Sequence, residues 1–369
     1  MSEEIKNDPY SVFTSKLKKN KDILENIKDK NVFDLSYIPE KIYMRKEAEE
    51  IADIITEYIA SGLPTNIVVY GNKGSGKTST VLSLLNVGKK LGELDYTYIR
   101  AMEHPTSFKM FGAIAGKSMH GYFLSEVAKE AFAKITGRHV VVIDDANAMK
   151  DDIILRLLPN ETKAQIILLT QKASWFNSLK DDAKESLSPV HIYFNQYDVL
   201  QLKTILTMRA EMGLKSYSED GISMIATLLY NNYGSDARVG IKALYHVGKN
   251  NDWSDEFIKM SLEKAYKEVN SYILGNLDDK KVLILYALLQ DNNTNKAYAI
   301  LEDYMKRLYG MPVVKRSQYF NIVHELSNLG LIDTIKKHED KYYTLEIQFL
   351  IDPKLVTEEF KKRFESEGG

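Results

Sequence analysis

Three groups of residues have the types and spacing that chemistry requires. The first is Gly71-Asn72-Lys73-Gly74-Ser75-Gly76-Lys77-Thr78, a G-x-x-x-x-G-K-T run followed by Ser79. Its glycines let backbone N–H groups turn inward around a polyphosphate. Lys77 brings a positive charge for the β- and γ-phosphates, and the Thr78 hydroxyl can hold Mg2+. The second group begins with Asp144 and Asp145, which close an apolar run that starts at His139. Asp144 stands where a carboxylate holds Mg2+ through water. Asp145 stands where ATPases that polarise an attacking water normally carry glutamate. Its carboxylate is one methylene shorter, and a misplacement of about 1 Å can lower a rate on the order of 10²-fold. Gln171, after the run Gln165–Thr170, can touch a γ-phosphate or position water. Arg238 falls in the first turn of a helix that Asp236 can cap, where a cation opposes the helix dipole and suggests an anion facing it. The expectation is ATP or ADP with Mg2+, bound firmly and hydrolysed slowly.

The third group lies near the C-terminus. Tyr304 to His324 contains Lys306, Arg307, Lys315 and Arg316 and no acid. Arg316, Ser317, Gln318, Tyr319 and Asn321 open a helix that would enter the major groove of DNA. Gln318 and Asn321 can pair with adenine, and Arg316 with guanine or phosphate. Lys336, Lys337 and Lys341 at a hairpin tip suit phosphate or minor-groove contact. A winged helix that binds protein is the alternative.

The elements that must position these residues are legible as patterns. Asn66–Tyr70 reads as a buried strand that delivers the glycine-rich loop to a helix. Asp95–Arg100, His139–Asp144, Gln165–Thr170 and Val190–Phe194 read as further strands, with helical stretches between them. This alternation predicts a parallel, doubly wound α/β sheet with its ligand at the carboxyl ends of the strands. From Asp198 the strands stop, and helices are expected at 198–212, 218–233, 236–249 and 254–273. After a hinge at Gly275–Asp278 come three helices and a β-hairpin, the order of a winged helix-turn-helix. The expected divisions are a polar tail or short helix over 1–35, a nucleotide-binding domain over 36–197, a helical lid over 198–275 and a winged helix over 276–369.

Bulk properties set limits. The chain has 369 residues, a formal net charge of -2 and no cysteine. Disulfides and thiolate metal sites are excluded, and any nucleic-acid contact must use local basic patches. There is no apolar run long enough for a transmembrane helix and no secretory leader, so a cytoplasmic, nucleoid-associated protein with no membrane partner is expected.

From about Val32 onward the chain resembles the AAA+ replication-origin initiators of archaea, relatives of the eukaryotic origin-recognition and cell-division-cycle loader subunits. Tyr37-Ile38-Pro39 and Arg45 look like the family's N-terminal box beside the adenine. The glycine-rich loop and Val140–Asp145 are similar to its Walker A and B motifs. Phe194–Tyr197 with Ile205 and Arg209 resembles the box leading into its lid. Gly234–Arg238 resembles its sensor 2 motif, with Ser235 replacing the usual aspartate. The resemblance implies a nucleotide switch acting on double-stranded origin DNA, with the replicative helicase and a paralogous initiator as partners. This sequence departs from the family at Asp145, at Gln171 where asparagine is usual, and at Asp182 where an arginine finger often stands. A DNA-bound regulator that loads no helicase stays open beside the initiator reading. A clamp-loader or remodelling ATPase fits less well.

Overall fold

A computed structural model describes residues 9–117, 121–311, 314–339 and 342–365. In chain order the elements are α1 (Pro9–Ile23), α2 (Lys46–Ser61), β1 (Ile67–Gly71), α3 (Lys77–Lys90), β2 (Asp95–Arg100), α4 (Ser107–Ala115), α5 (Leu124–Lys134), β3 (His139–Asp144), α6 (Ile153–Glu161), β4 (Gln165–Thr170), α7 (Ala173–Asn177), α8 (Asp181–Leu187) and β5 (Val190–Phe194). Then follow α9 (Val199–Gly213), α10 (Glu219–Asn232), α11 (Ala237–Asn250), α12 (Asp255–Gly275), α13 (Asp279–Gln290), α14 (Thr294–Tyr309), α15 (Arg316–Asn328), β6 (Ile332–Glu339), β7 (Tyr342–Phe349) and α16 (Pro353–Phe364). Two compact units gather them. One holds Met1–Arg45, Lys73–Ser83 and Asn195–Val269; the other holds Lys46–Asn72, Leu84–Phe194 and Asn270–Gly369.

The sheet belongs to the second unit. Its five strands are all parallel in the order β2-β3-β4-β1-β5. β3 and β4 are buried at every position, as their unbroken apolar runs require of strands covered on both faces. Because all strands point one way, Gly71, Asp144 and Thr170 end at the same edge. Asn66 locks the opposite end: its amide donates to the Leu187 carbonyl at 2.7 Å and accepts from the Ile166 N–H at 2.8 Å. The same unit carries the winged helix, α13–α15 with the antiparallel pair β6–β7.

α16 adds a helix to the expected three. Phe360 stacks on Tyr286 with ring centroids 3.6 Å apart. Arg363 donates to the carbonyls of Leu277 at 2.7 Å and of Leu274 and Gly275 at 3.1 Å, and pairs with Glu359 at 2.7 Å. The expected hinge at Gly275–Asp278 is therefore a clamped corner. One guanidinium satisfies carbonyls that the end of α12 leaves open.

In the first unit, α9–α12 bury one apolar core in which Phe33 takes part. The expected tail forms α1, with Tyr10 and Phe13 exposed. The segment after it is not solvated tail. Ile27 bridges Leu214, and the Asn26 amide donates to the Ser216 and Gly248 carbonyls at 3.0 and 2.9 Å. Residues 26–33 close over the lid helices.

Candidate nucleotide site and winged helix

Within the first unit, residues Lys73–Thr78 of the glycine-rich loop pack against the lid. Gly74 and Gly76 take φ of +73° and +86°, which side chains rarely adopt. A Cβ on Gly74 would strike the Asp236 carboxylate, and one on Gly76 would strike the Tyr197 hydroxyl. Arg45 is buried. It lies 5.0 Å over the Tyr197 ring and donates to the Asn195 carbonyl at 3.1 Å and the Ser75 carbonyl at 3.4 Å. The Pro39 carbonyl accepts from the Ser83 hydroxyl at 2.7 Å, and Arg209 sits 5.0 Å over the Tyr37 ring. Tyr37, Pro39, Arg45, Tyr197 and the loop residues Lys73–Thr78 thus belong to one unit. Ile38 is half-buried, and Ile205 packs against the lid core.

These residues fit a nucleotide. α3 begins at Lys77, so its N-terminus adjoins the loop. The Ser75 Oγ is buried with no hydrogen-bond partner among the described residues. A buried hydroxyl without a partner is costly, and a phosphate oxygen would supply one. Lys73, Lys77, Thr78 and the loop's N–H groups would be the donors to a polyphosphate, and the Ser79 hydroxyl is held by the Gly76 carbonyl at 3.0 Å. Bound Mg2+ would supply charge neutralisation between the phosphates.

The anion that meets Arg238 is Asp236. Asp236 caps α11 by accepting from the Arg238 N–H at 2.9 Å, and it grips the guanidinium at 3.0 and 2.6 Å. Ser235 takes φ +57°, a turn that favours glycine. The apparent loss of an aspartate at 235 is thus a matter of spacing, because the next residue supplies the carboxylate.

Two expected catalytic residues meet in the second unit. Asp144 is buried at the end of β3; its Oδ1 accepts from the Asp145 N–H at 2.9 Å and its Oδ2 from the Tyr98 hydroxyl at 2.7 Å. Burial, together with the Asp144 charge, pushes the Tyr98 hydroxyl well above the usual tyrosine range. Asp145 adopts a left-handed φ of +50°. Its carboxylate accepts from the Gln171 amide at 3.4 Å. The buried Asn147 Oδ1 accepts from the Thr170 hydroxyl at 3.1 Å and the Gln171 N–H at 3.4 Å, joining the exits of β3 and β4. Asp182 is paired with Arg156 at 2.6 Å. Neither Tyr98 nor Asn147 is legible in the sequence: β2–β3 register brings Tyr98 to Asp144, and Asn147 meets Thr170 and Gln171 only where the exits of β3 and β4 lie side by side.

In the winged helix, Lys315, Arg316, Ser317, Gln318 and Asn321 are exposed at the start of α15. Arg316 is held at 2.8 Å by the Asn295 side chain and flanked by the Tyr298 and Phe320 rings. Tyr319 corrects the expectation. It is fully buried, with its hydroxyl on the Thr294 carbonyl at 2.8 Å, so it anchors the helix and faces no groove. Lys336 and Lys337 lie on β6, while Lys341 falls outside the described residues. The C-terminal half of α15 is tied to the acids' own loops: Lys172 donates to Ser327 at 2.8 Å, and Lys150 pairs with Glu325 at 3.3 Å.

A parallel sheet in this order with a glycine-rich loop, a helical lid and a winged helix is an AAA+-type fold. No family model matches the chain. An ORC1-type DNA replication protein of Pyrococcus horikoshii is 25% identical, with 90% of each chain covered. The structure of the Aeropyrum pernix ORC1 protein in complex with DNA matches with a TM-score of 0.72 at 20% identity, covering 92% of this chain and 98% of that one. The Aeropyrum pernix ORC2 protein in its ADPNP–ADP complexes matches with a TM-score of 0.58 at 18% identity, covering 92% of this chain and all of that one. The chain is likewise similar to ORC1-type DNA replication proteins of Desulfurococcus amylolyticus and Sulfurisphaera tokodaii, at 25% and 24% identity over 89% and 87% of its length.

Proposed function

We propose that this protein is a nucleotide-controlled initiator that binds double-stranded origin DNA through its winged helix and helps recruit the replicative helicase. The observation that carries this is the exposed row Arg316, Ser317, Gln318 and Asn321 at the N-terminal end of α15, in a chain similar end to end to ORC1-type replication proteins. Arg316 is pre-set by Asn295 and two rings, so little side-chain entropy is lost when it pairs with a base or phosphate. A paralogous initiator on adjacent DNA fits the same role.

ATP or ADP with Mg2+ acts as a slow switch. In the first unit, Lys77, Thr78 and the neighbouring loop amides would hold phosphates; in the second, Asp144 would hold a hydrated cation. Asp145 is the residue that would orient water. Its short side chain on a left-handed backbone, shared with Gln171, supports slow hydrolysis.

Footprinting on candidate origin DNA tests the DNA role. The Arg316→Ala, Gln318→Ala double variant should lose the footprint while keeping its melting temperature; an intact footprint would sink the winged-helix reading. For the nucleotide site, Lys77→Ala should lose ADP binding, and ADP retained by that variant would contradict the phosphate assignment.

A further inference from the structure

We propose that Asp236 sets the nucleotide preference of the glycine-rich loop: its carboxylate, held against Gly74 and paired with Arg238, opposes the loop's attraction for a further phosphate and so favours a diphosphate over a triphosphate. The inference rests on the nucleotide reading above and uses residues of the first unit alone, Lys73–Thr78 and Gly234–Arg238.

The chain turns sharply to place this carboxylate. Gly234 and Ser235 take φ of +59° and +57°. The Ser235 N–H donates to the Leu229 carbonyl at 3.1 Å, and the Asp236 N–H to the Tyr233 carbonyl at 3.3 Å. These bonds close the end of α10 and deliver Asp236 as the N-cap of α11. The Ala237 N–H has no partner within α11, as the first turn of a helix dictates, and it donates to the Gly74 carbonyl at 3.4 Å. The Asp236 carboxylate packs so closely on Gly74 that a Cβ there would collide with it. Capping alone does not need the charge, since serine or asparagine caps a helix about as well. What aspartate adds is a negative charge touching the loop backbone.

That charge acts in two ways. The carboxylate accepts from the Arg238 Nε at 3.0 Å and from a terminal guanidinium nitrogen at 2.6 Å, so it offsets the arginine's charge beside the loop. It also repels an anion directly. A phosphate cradled by the loop's N–H groups sits about 3 Å from their nitrogens. Its distance from Asp236 then falls within the Debye length of about 8 Å at physiological salt, where charges still feel each other. The repulsion grows with the charge of the anion, so a triphosphate is opposed more than a diphosphate.

The test is Asp236→Asn in the full chain, which keeps a capping side chain and removes the charge. In EDTA, the affinity for a non-hydrolysable ATP analogue relative to ADP should rise about fivefold over the parent. A charge within about 4–6 Å shifts a binding equilibrium of a proton by 10-fold or more, and the phosphates stand somewhat farther off. Raising KCl from about 0.05 M to about 0.5 M should shrink the difference between variant and parent, a dependence that a merely structural cap would not show. An unchanged ratio overturns the proposal, and so do an equal change for both nucleotides and a difference indifferent to salt. A parent protein that binds neither nucleotide overturns the nucleotide reading and this proposal with it; one that binds both, with the ratio unmoved by the substitution, overturns this proposal alone.

Discussion

Ser235 turns at φ +57° just ahead of the N-cap of α11. A left-handed L-residue costs roughly 1–2 kcal/mol, part of which glycine returns to the unfolded chain as entropy. Ser235→Gly should therefore stabilise the protein by about 0.5 kcal/mol in chemical denaturation; a loss of stability would show that the serine side chain matters more than the turn. Asp145 shares this backbone, yet its longer homologue should act on rate. Asp145→Glu restores the missing methylene and should raise ATP turnover, whereas a flat or lower rate would place the bottleneck elsewhere. At Gly74 the alanine variant meets both the +73° backbone and the Asp236 carboxylate. ADP affinity should drop by at least about tenfold, equivalent to roughly 1.4 kcal/mol. These residues were legible because the phosphate loop and the paired acids are local patterns. Tyr98 was not, since its partner lies on the next strand and no spacing along the chain records it.

α16 shows how much a helix can add without touching the site. Its signals are present in the sequence: Asp352 caps it, Pro353 opens it, and Leu355, Val356 and Phe360 recur on a buried face. They lie outside the winged-helix order, which is complete without them. Arg363 joins α16 to the end of α12, so Arg363→Ala should destabilise the protein by about 2 kcal/mol through carbonyls left without a donor. A change under about 0.5 kcal/mol, the usual range for surface substitutions, would mean that water replaces the guanidinium. In α15 the sequence placed the helix but not its rotation. A helix start marked by polar residues does not say which aromatic turns inward. Tyr319→Phe should cost stability, about 1 kcal/mol for the lost bond to Thr294, and leave DNA affinity unchanged.

Each compact unit contains a histidine that burial holds below its ordinary pKa. His139 lies in the sheet and His246 in the lid; Glu268, at 2.9 Å from His246, opposes the shift without overcoming it. Both stay neutral in the folded chain while the unfolded chain takes up protons below about pH 6.5. Stability should therefore hold from pH 8 to 7 and decline as pH falls below about 6.5. The carboxylates held below their ordinary range, such as Asp95 and Asp278, add their loss only under stronger acid. A melting temperature that stays level from pH 7 to 5 would contradict this. At this scale the order of the elements, strands and helices first, then helices alone, then helices with a hairpin, was legible from the sequence patterns. The gathering of Lys73–Ser83 with the lid was not, because it depends on contacts across more than 100 residues of chain. For the proposed DNA role, the inward turn of Tyr319 also limits how much text α15 could read. The exposed positions from Arg316 to Asn321 span about 7.5 Å of helix axis at 1.5 Å per residue. With base pairs about 3.4 Å apart, that window covers two or three of them. Three fully read base pairs select about one site in 64, against the roughly 10⁶ or more competing sites of a genome. A helix that reads DNA in the proposed way would thus carry only a few letters of an address, and additional contacts or a second DNA-bound subunit would have to spell the rest.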